Sequence, residues 1–301
     1  MANRKRRRKS KKTLKVLMIG IVSVLLAIGW YYIDPNGQIS TAVIGPDTDV
    51  SVHFIDVGQG DCELIIDHGE AILIDAGEND QGEKVVQYLR SHGVDHLKRA
   101  IGTHPHSDHI GGMDVVLKNI PTEELILPNV SAECVPTTRT YQEVLEAAEK
   151  NNVPITWAAP GMEYPVGEGV LSILGPVADD YTELNSWSVP ARYQYQNTSF
   201  FFGGDMEKDA EKDLLDSGQI VQSTVMKLNH HGSNTSNTEE FLRAVNPQAY
   251  VIEVGLGNSY HLPSDKVIAR LGTTPVYRTD RDGTIVFGTD GTTLQVMTEK
   301  G

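Results

Sequence analysis

Only two of the 301 residues are cysteine, Cys62 and Cys134, and neither has a Cys-x-x-Cys neighbour. That spacing excludes a zinc knuckle and a redox pair, and leaves a Cys62–Cys134 disulfide open only outside the cytoplasm. Cys62, between Asp61 and Glu63 at the start of an apolar run, reads as a small packed residue. Acidic residues are absent before Asp34, and basic ones are scarce after Lys15. Nine of the 26 Lys and Arg residues lie between Arg4 and Lys15, so the remainder sets seventeen basic against forty acidic residues, a net of −23. A body that acidic does not attract nucleic acid by its general field. An anionic substrate has to be captured locally, by metal ions. Beyond residue 33 no apolar run is long enough to span a bilayer, and beyond the basic head there is no repeat or low-complexity segment.

What is present divides the chain into four parts. Residues 1–15 form a basic tail. Val16 to Ile33 is uncharged and almost wholly apolar, ending in Trp30-Tyr31-Tyr32. As a helix it spans about 27 Å, enough for the hydrocarbon core. The basic flank predicts a cytoplasmic N-terminus and the aromatic cluster suits the outer interface. A secretory signal peptide shares these features, but no small-x-small cleavage site follows, so a single-pass anchor fits better. Either way the rest is expected outside the cytoplasm, secreted if the segment is cleaved. Residues 34–49, punctuated by Pro and Gly, read as a linker, and 50–301 as the folded domain.

In that domain the pattern predicts strands at Ser51–Val57, Glu63–Asp67, Ala71–Asp75, Arg99–Thr103, near Leu125 and at Val153–Trp157. Further strands follow at Val170–Leu174, Val189–Tyr193, Thr198–Phe202, Thr224–Leu228, Ala249–Val254, Thr284–Phe287 and Thr293–Met297. Helices are predicted at Lys84–His92, Gly112–Asn119, Tyr141–Asn151, Met206–Asp216, Thr238–Ala244 and Ser264–Leu271. Antiparallel strands interleaved with helices in two halves imply an α+β fold of two sheets packed face to face with helices outside.

Chemistry concentrates in Thr103-His104-Pro105-His106-Ser107-Asp108-His109-Ile110-Gly111-Gly112. Three of only ten histidines fall between His104 and His109. Pro105 disfavours helix at His104. In an extended segment His104 and His106 share a side, with Asp108 and His109 on the turn that follows. Two imidazoles facing one way beside an Asp/His pair suit two metal ions held roughly 3.5–4 Å apart. The plain alternative is a His-rich surface loop, and the choice depends on ligands from elsewhere. Asp75 ends an apolar strand and is placed to hydrogen-bond a ligand loop, or simply to start a turn. Phe200-Phe-Phe-Gly-Gly-Asp205 repeats the construction, its glycines letting Asp205 approach closely, as a bridging carboxylate or a helix cap. His230 and His231 end another strand. Adjacent residues there point opposite ways, so His230 is taken as the ligand and His231 as lying behind it or near substrate. By residue type, Ser233, Ser236 and Asn258 are candidates for steadying substrate oxygens.

Five ordered motifs, Asp56–Asp61 (DVGQGD), Leu73–Gly77 (LIDAG), Thr103–Gly112, Gly203–Asp205 and Lys227–Ser233 (KLNHHGS), resemble the metallo-β-lactamase fold. The similarity is strongest to the ComEC branch, named for a DNA-uptake competence protein, and runs from Val50 to Met297. It implies a four-layer αβ/βα sandwich and hydrolysis at a site of two divalent metal ions, zinc or manganese. By matching position, His104, His106, Asp108, His109, Asp205 and His230 resemble metal ligands, with Asp205 bridging. Asp108 and Asp205 then serve catalysis, Asp108 also holding the attacking water. Asn185-Ser-Trp-Ser188 resembles the branch's Asn-x-x-Ser motif, where many other members have a ligand histidine. A site with less histidine leans toward manganese. Where the branch has Asn-x-Tyr-Gly-His-Pro, this chain has Asn258-Ser-Tyr260-His261-Leu262-Pro263. The histidine is one place early, and Tyr260 and His261 are at most substrate contacts.

The resemblance implies a membrane-anchored extracellular phosphodiesterase or nuclease acting on DNA or a cell-wall polymer. DNA transport does not carry over, because the branch's many membrane helices are missing. A cell-wall phosphoesterase of the phosphorylcholine-esterase type is the second expectation, since Gly203 to Val245 resembles it as well and the acidic body suits a cationic ester. Against it stands the lack of Trp-rich choline-binding repeats. A catalytically silent surface sensor or scaffold is the third. No obligate protein partner is expected.

Overall fold

The structure is a computed structural model that describes residues 50–300, Thr48, and the backbone of two short strands, β1 (Tyr31–Ile33) and β2 (Ile39–Ser40). The basic tail, most of the 16–33 span and most of the 34–49 linker lie outside the described residues. The last three residues of that span are extended rather than helical. Among the described residues no helix is long and apolar enough to cross a membrane.

Strand alternation builds the sandwich. The first sheet contains β1, β2, β3 (Val50–Phe54), β4 (Glu63–Asp67), β5 (Glu70–Ile74), β6 (Arg99–Ile101), β7 (Leu125–Pro128) and β8 (Ile155–Ala158). Completed by β16 (Ile285–Thr289) and β17 (Leu294–Thr298), its order is β2-β1-β17-β16-β3-β4-β5-β6-β7-β8. The second sheet has β9 (Glu163–Val166), β10 (Gly169–Ile173), β11 (Ala191–Tyr195), β12 (Thr198–Phe202), β13 (Val225–Lys227), β14 (Ala249–Ile252) and β15 (Val276–Arg278), ordered β15-β14-β13-β12-β11-β10-β9. Along β12, Phe200 and Phe202 enter the core between the sheets with Val52, Phe54 and Ile65, whereas Phe201 faces outward. There Phe201 meets Phe241 of the helix Glu239–Val245. On the first sheet's outer face Leu64 and Leu73 pack against Val85 and Leu89 of Gly82–Ser91 and Val144 of Arg139–Lys150. Three apolar layers therefore separate four layers of structure, as the alternation predicts.

Besides β1 and β2, two strands escape the sequence pattern, β9 and β15, and they are the two edges of the second sheet. Pro165 within β9 and the half-exposed Val276–Arg278 lack the continuous burial that marks a central strand. The expected antiparallel pairing holds for only part of each sheet: β5 to β8 in one and β12 to β15 in the other are parallel, the helices between them serving as crossovers. Asp75, the histidine cluster, Asp205 and the His230–His231 pair all follow parallel strands, at the carboxyl edge where open α/β sheets bind ligands. Cys62 and Cys134 are not bonded to each other.

Candidate metal centre

The segment after β6 is extended at His106 and then turns into a short helix, Ser107–Ile110. Asp75 holds it from behind. Its Oδ1 accepts from the Thr103 N–H at 2.8 Å, and its Oδ2 from Thr103 Oγ1 at 2.6 Å and His109 Nδ1 at 2.7 Å. These bonds turn His109 Nε2 forward, toward Asp205 Oδ1 at 3.2 Å. Ser188 Oγ accepts from the Asp205 N–H at 3.0 Å, which fixes the opposing carboxylate. The glycine before Asp205 matters: Gly204 has φ +54, and a Cβ there would lie 2.9 Å from the Thr103 side chain.

The two oxygens of Asp205 face different groups. Oδ1 looks at His109 Nε2 and, at 3.7 Å, His231 Nε2. Oδ2 looks at His104 Nε2 at 3.9 Å and His230 Nε2 at 3.6 Å. His106 joins the second group, its Nδ1 lying 3.0 Å from His104 Nε2. His231 Nε2 also reaches Asp108 Oδ2 at 3.2 Å. Asp108, His109, Asp205 and His231 each bring one ligand atom within 4.8 Å of the others, a set that could hold a metal ion.

The donor chemistry fits divalent cations. His109 Nε2 and Asp205 Oδ1 are buried without a hydrogen-bond partner, although 3.2 Å apart. The Asn185 Oδ1 is likewise buried and unpartnered, on the His230 side, where its amide nitrogen lies 3.4 Å from the His230 ring. Burial alone depresses an imidazole, but Asp205 and Asp61 with Asp108 override it and push His231 up to about 10. His109 rises well above the ordinary range for the same reason, burial being outweighed by Asp205, Asp61, Asp75 and Asp108. Asp205 is driven the other way: burial is outweighed by His109 and His231, and its carboxyl stays well below the usual carboxylate range. A field that holds protons on two buried imidazoles is one that a metal cation can enter by displacing them.

The structure adds His231 to the candidate ligands beside His230 and replaces the reason for separating them. His231 is part of the four-residue group, and His230 is on the other side of Asp205. The opposite-faces argument fails because neither is in a strand: both are left-handed, φ 50 and φ 51, inside the turn Asn229–Gly232. Buried Asn229, Glu211 and Asn237 stabilise that turn. Glu211 Oε1 accepts from Asn229 Nδ2 at 2.8 Å and the Asn237 N–H at 2.6 Å, and Oε2 from the Thr238 N–H at 2.9 Å.

The expected substrate contacts separate similarly. Asn185 and Tyr260 line a cleft of about 310 Å3 over the site, with His106, Asp108 and His231. Ser233 Oγ bonds Thr235 Oγ1 at 3.0 Å, and Ser236 is buried, so neither lines the cleft. Asn258 staples its own loop, donating to the Leu262 carbonyl at 2.8 Å and accepting from the Leu262 N–H at 3.0 Å. His261 is exposed and left-handed, and Leu262 rather than His261 lines the cleft. A second cleft, of about 370 Å3 beside Arg192 and Ile220, has none of this chemistry.

Sequence reasoning missed Asp61 and Lys227. Asp61 is fully buried, its Oδ1 3.2 Å from His231 Nδ1 and its Oδ2 3.6 Å from His109 Nδ1 and ion-paired with Lys227 Nζ. Gly60, φ +137, lets the Asp61 N–H reach the Asp108 carbonyl at 3.0 Å, since a Cβ at Gly60 would sit 2.2 Å from that oxygen. The signals were there: Asp61 closes the DVGQGD run, and Lys227 is a lone cation in an apolar strand.

The pattern of the metallo-beta-lactamase superfamily matches residues 55–254, which include every residue of this centre. The chain belongs to that superfamily. Among curated relatives, ComE operon protein 3 of Bacillus subtilis is 30% identical over 256 residues, covering 78% of this chain and 32% of the relative. Competence protein ComA of Neisseria gonorrhoeae is 28% identical over 247 residues, covering 81% and 33%. These are competence proteins of the ComEC branch, and the chain spans about a third of their length. Among solved structures it is similar to Igni18, a metallo hydrolase from Ignicoccus hospitalis. There the TM-score is 0.50 and the identity 14%, over 80% of this chain and 100% of that one. It is also similar to CmlA, a diiron beta-hydroxylase from Streptomyces venezuelae, with a TM-score of 0.52 at 10% identity over 79% of this chain and 54% of that one. At such identities these structures show the fold alone.

Proposed function

We propose that the chain is a metal-dependent phosphodiesterase whose centre takes two divalent cations, zinc or manganese. The observation that carries this reading is the carboxylate of Asp205, with one oxygen toward His109 and His231 and the other toward His104 and His230. In this reading Asp108, His109, Asp205 and His231 hold one cation, while His104, His106, Asp205 and His230 hold the other, with the Asn185 oxygen beside them. The chemistry such a pair supplies is activation of water at neutral pH and charge relief at an ester oxygen. Asp108, more open than Asp205 at 24% against 3% side-chain exposure, would hold the attacking water. Tyr260, 68% exposed, lines the cleft and is placed to meet the substrate. The −23 body suits a substrate engaged at one ester rather than along a polyanion. The N-terminal apolar span would anchor this activity outside the cytoplasm.

A cell-wall phosphorylcholine ester is the second reading, favoured by one feature: among the described residues no Lys or Arg lines the cleft, whereas Glu78 does. Hydrolysis assays on single-stranded DNA, a bis-aryl phosphodiester and p-nitrophenylphosphorylcholine, each with an Asp108→Ala control, separate the two. Preference for the choline ester overturns the first reading, and equal turnover by the control overturns the site assignment.

A further inference from the structure

Lys227 has no place in a metal-ligand motif, yet its ammonium is fully buried at the back of the centre. It is ion-paired with Asp61 Oδ2 and donates to the carbonyls of Gly204 at 3.4 Å and Leu228 at 3.2 Å. Gly204 immediately precedes Asp205, and Leu228 opens the turn with His230 and His231. The Gly204 carbonyl also accepts from the His230 N–H at 3.0 Å. Asp61, paired with this ammonium, sets a carboxylate 3.2 Å from His231 Nδ1, which also meets the Glu253 carbonyl at 2.9 Å. The same carboxylate lies 3.6 Å from His109 Nδ1, which is hydrogen-bonded to Asp75, and the Asp61 N–H holds the Asp108 carbonyl. One cation thus ties together the backbone or imidazole of every residue in the four-residue group.

Its surroundings support a dedicated pairing. Glu63 and Glu253 are buried beside Asp61. Burial first, then neighbouring carboxylates, raises both, Glu253 to about 8. Buried ion pairs contribute little to stability compared with apolar packing, so stability alone gives no reason to bury this one. A carboxylate on the far nitrogen of an imidazole, in contrast, fixes the ring and sharpens its hold on a metal.

We infer that Lys227 and Asp61 form a positioning hub that, beside the Asp75 bond to His109 and the Glu253 carbonyl on His231, fixes the placement of His231 and the approach of Asp205, and so the metal affinity of the centre. The inference rests on the two-cation reading above. The experiment compares full-length wild type, Lys227→Met and the double variant Asp61→Asn/Lys227→Met. Zinc and manganese dissociation constants are measured by competition, together with the visible spectrum of the cobalt(II)-loaded protein and the melting temperature.

Lys227→Met should bind metal about 10–100-fold more weakly and shift the cobalt bands. The double variant leaves no unpaired charge of the hub buried, so it should recover the melting temperature without recovering metal affinity. It also makes the comparison if the single variant does not fold. Variants that bind metal like wild type with unchanged cobalt bands overturn the hub, as does a double variant that regains both stability and affinity. A wild-type chain that holds no metal overturns the underlying reading and the hub with it.

Discussion

Asp205 and Glu211 lie a few residues apart, just after β12, and both bury a carboxylate. Glu211 is met by three protein N–H donors, two on one oxygen and one on the other. Asp205 has imidazole nitrogens around both oxygens at 3.2 to 3.9 Å, and its Oδ1 has no hydrogen bond. The difference separates two uses of a costly buried charge. Glu211 resembles Asp67 at the opposite end of the sandwich, where the Gly169 N–H and the Tyr193 hydroxyl each donate at 2.7 Å and join the two sheets. Such carboxylates are internal to the fold, whereas the set around Asp205 is complete only with something from outside.

Substituting each member tests that contrast. Asp205→Asn keeps the shape and removes the charge shared by both groups of imidazoles. Turnover of a phosphodiester should fall roughly 10^3-fold or more, with little loss of melting temperature. A retained rate would place the chemistry elsewhere. Glu211→Ala strands three N–H donors and should cost about 2–4 kcal/mol in denaturant unfolding. A neutral result there would mean that the turn with His230 and His231 holds itself.

A pH effect comes from His53, outside the centre. It is buried between Ser51 and Tyr88, each hydroxyl 2.8 Å from a ring nitrogen. Burial, and then His92, push it down to about 3. The unfolded chain therefore binds a proton there before the folded one does. Stability from this group is complete above about pH 6.5 and is lost as the pH falls toward 3. Acid titration of unfolding should show that slope, flatter in His53→Gln. The smallest effect is expected at Tyr260→Ala, at most about 0.5 kcal/mol in stability, with a raised KM if the ring meets substrate.

The sequence was most legible where a local rule and the final environment agree. The density of His104–His109, the glycines before Asp205 and the apolar run that ends β12 are properties of a few adjacent residues, and the fold preserves them. Reading failed where geometry depends on distant partners. His230 and His231 are twisted out of strand geometry by a turn held by Glu211, so their order could not follow from alternation. Asn258 has the residue type of a substrate contact but spends its amide on its own loop. Asp61 and Lys227 meet only because β13 and the loop after β3 converge behind the centre. The edge strands β9 and β15 lack a buried face to leave a pattern.

The central claim is that this centre is completed by metal. Elemental analysis of the full chain, after supplementation with zinc and manganese and removal of excess, tests it most directly. The account predicts about two ions per wild-type chain and a marked loss in Asp205→Asn. A wild-type chain with none, or an Asp205→Asn chain that retains both, would contradict it.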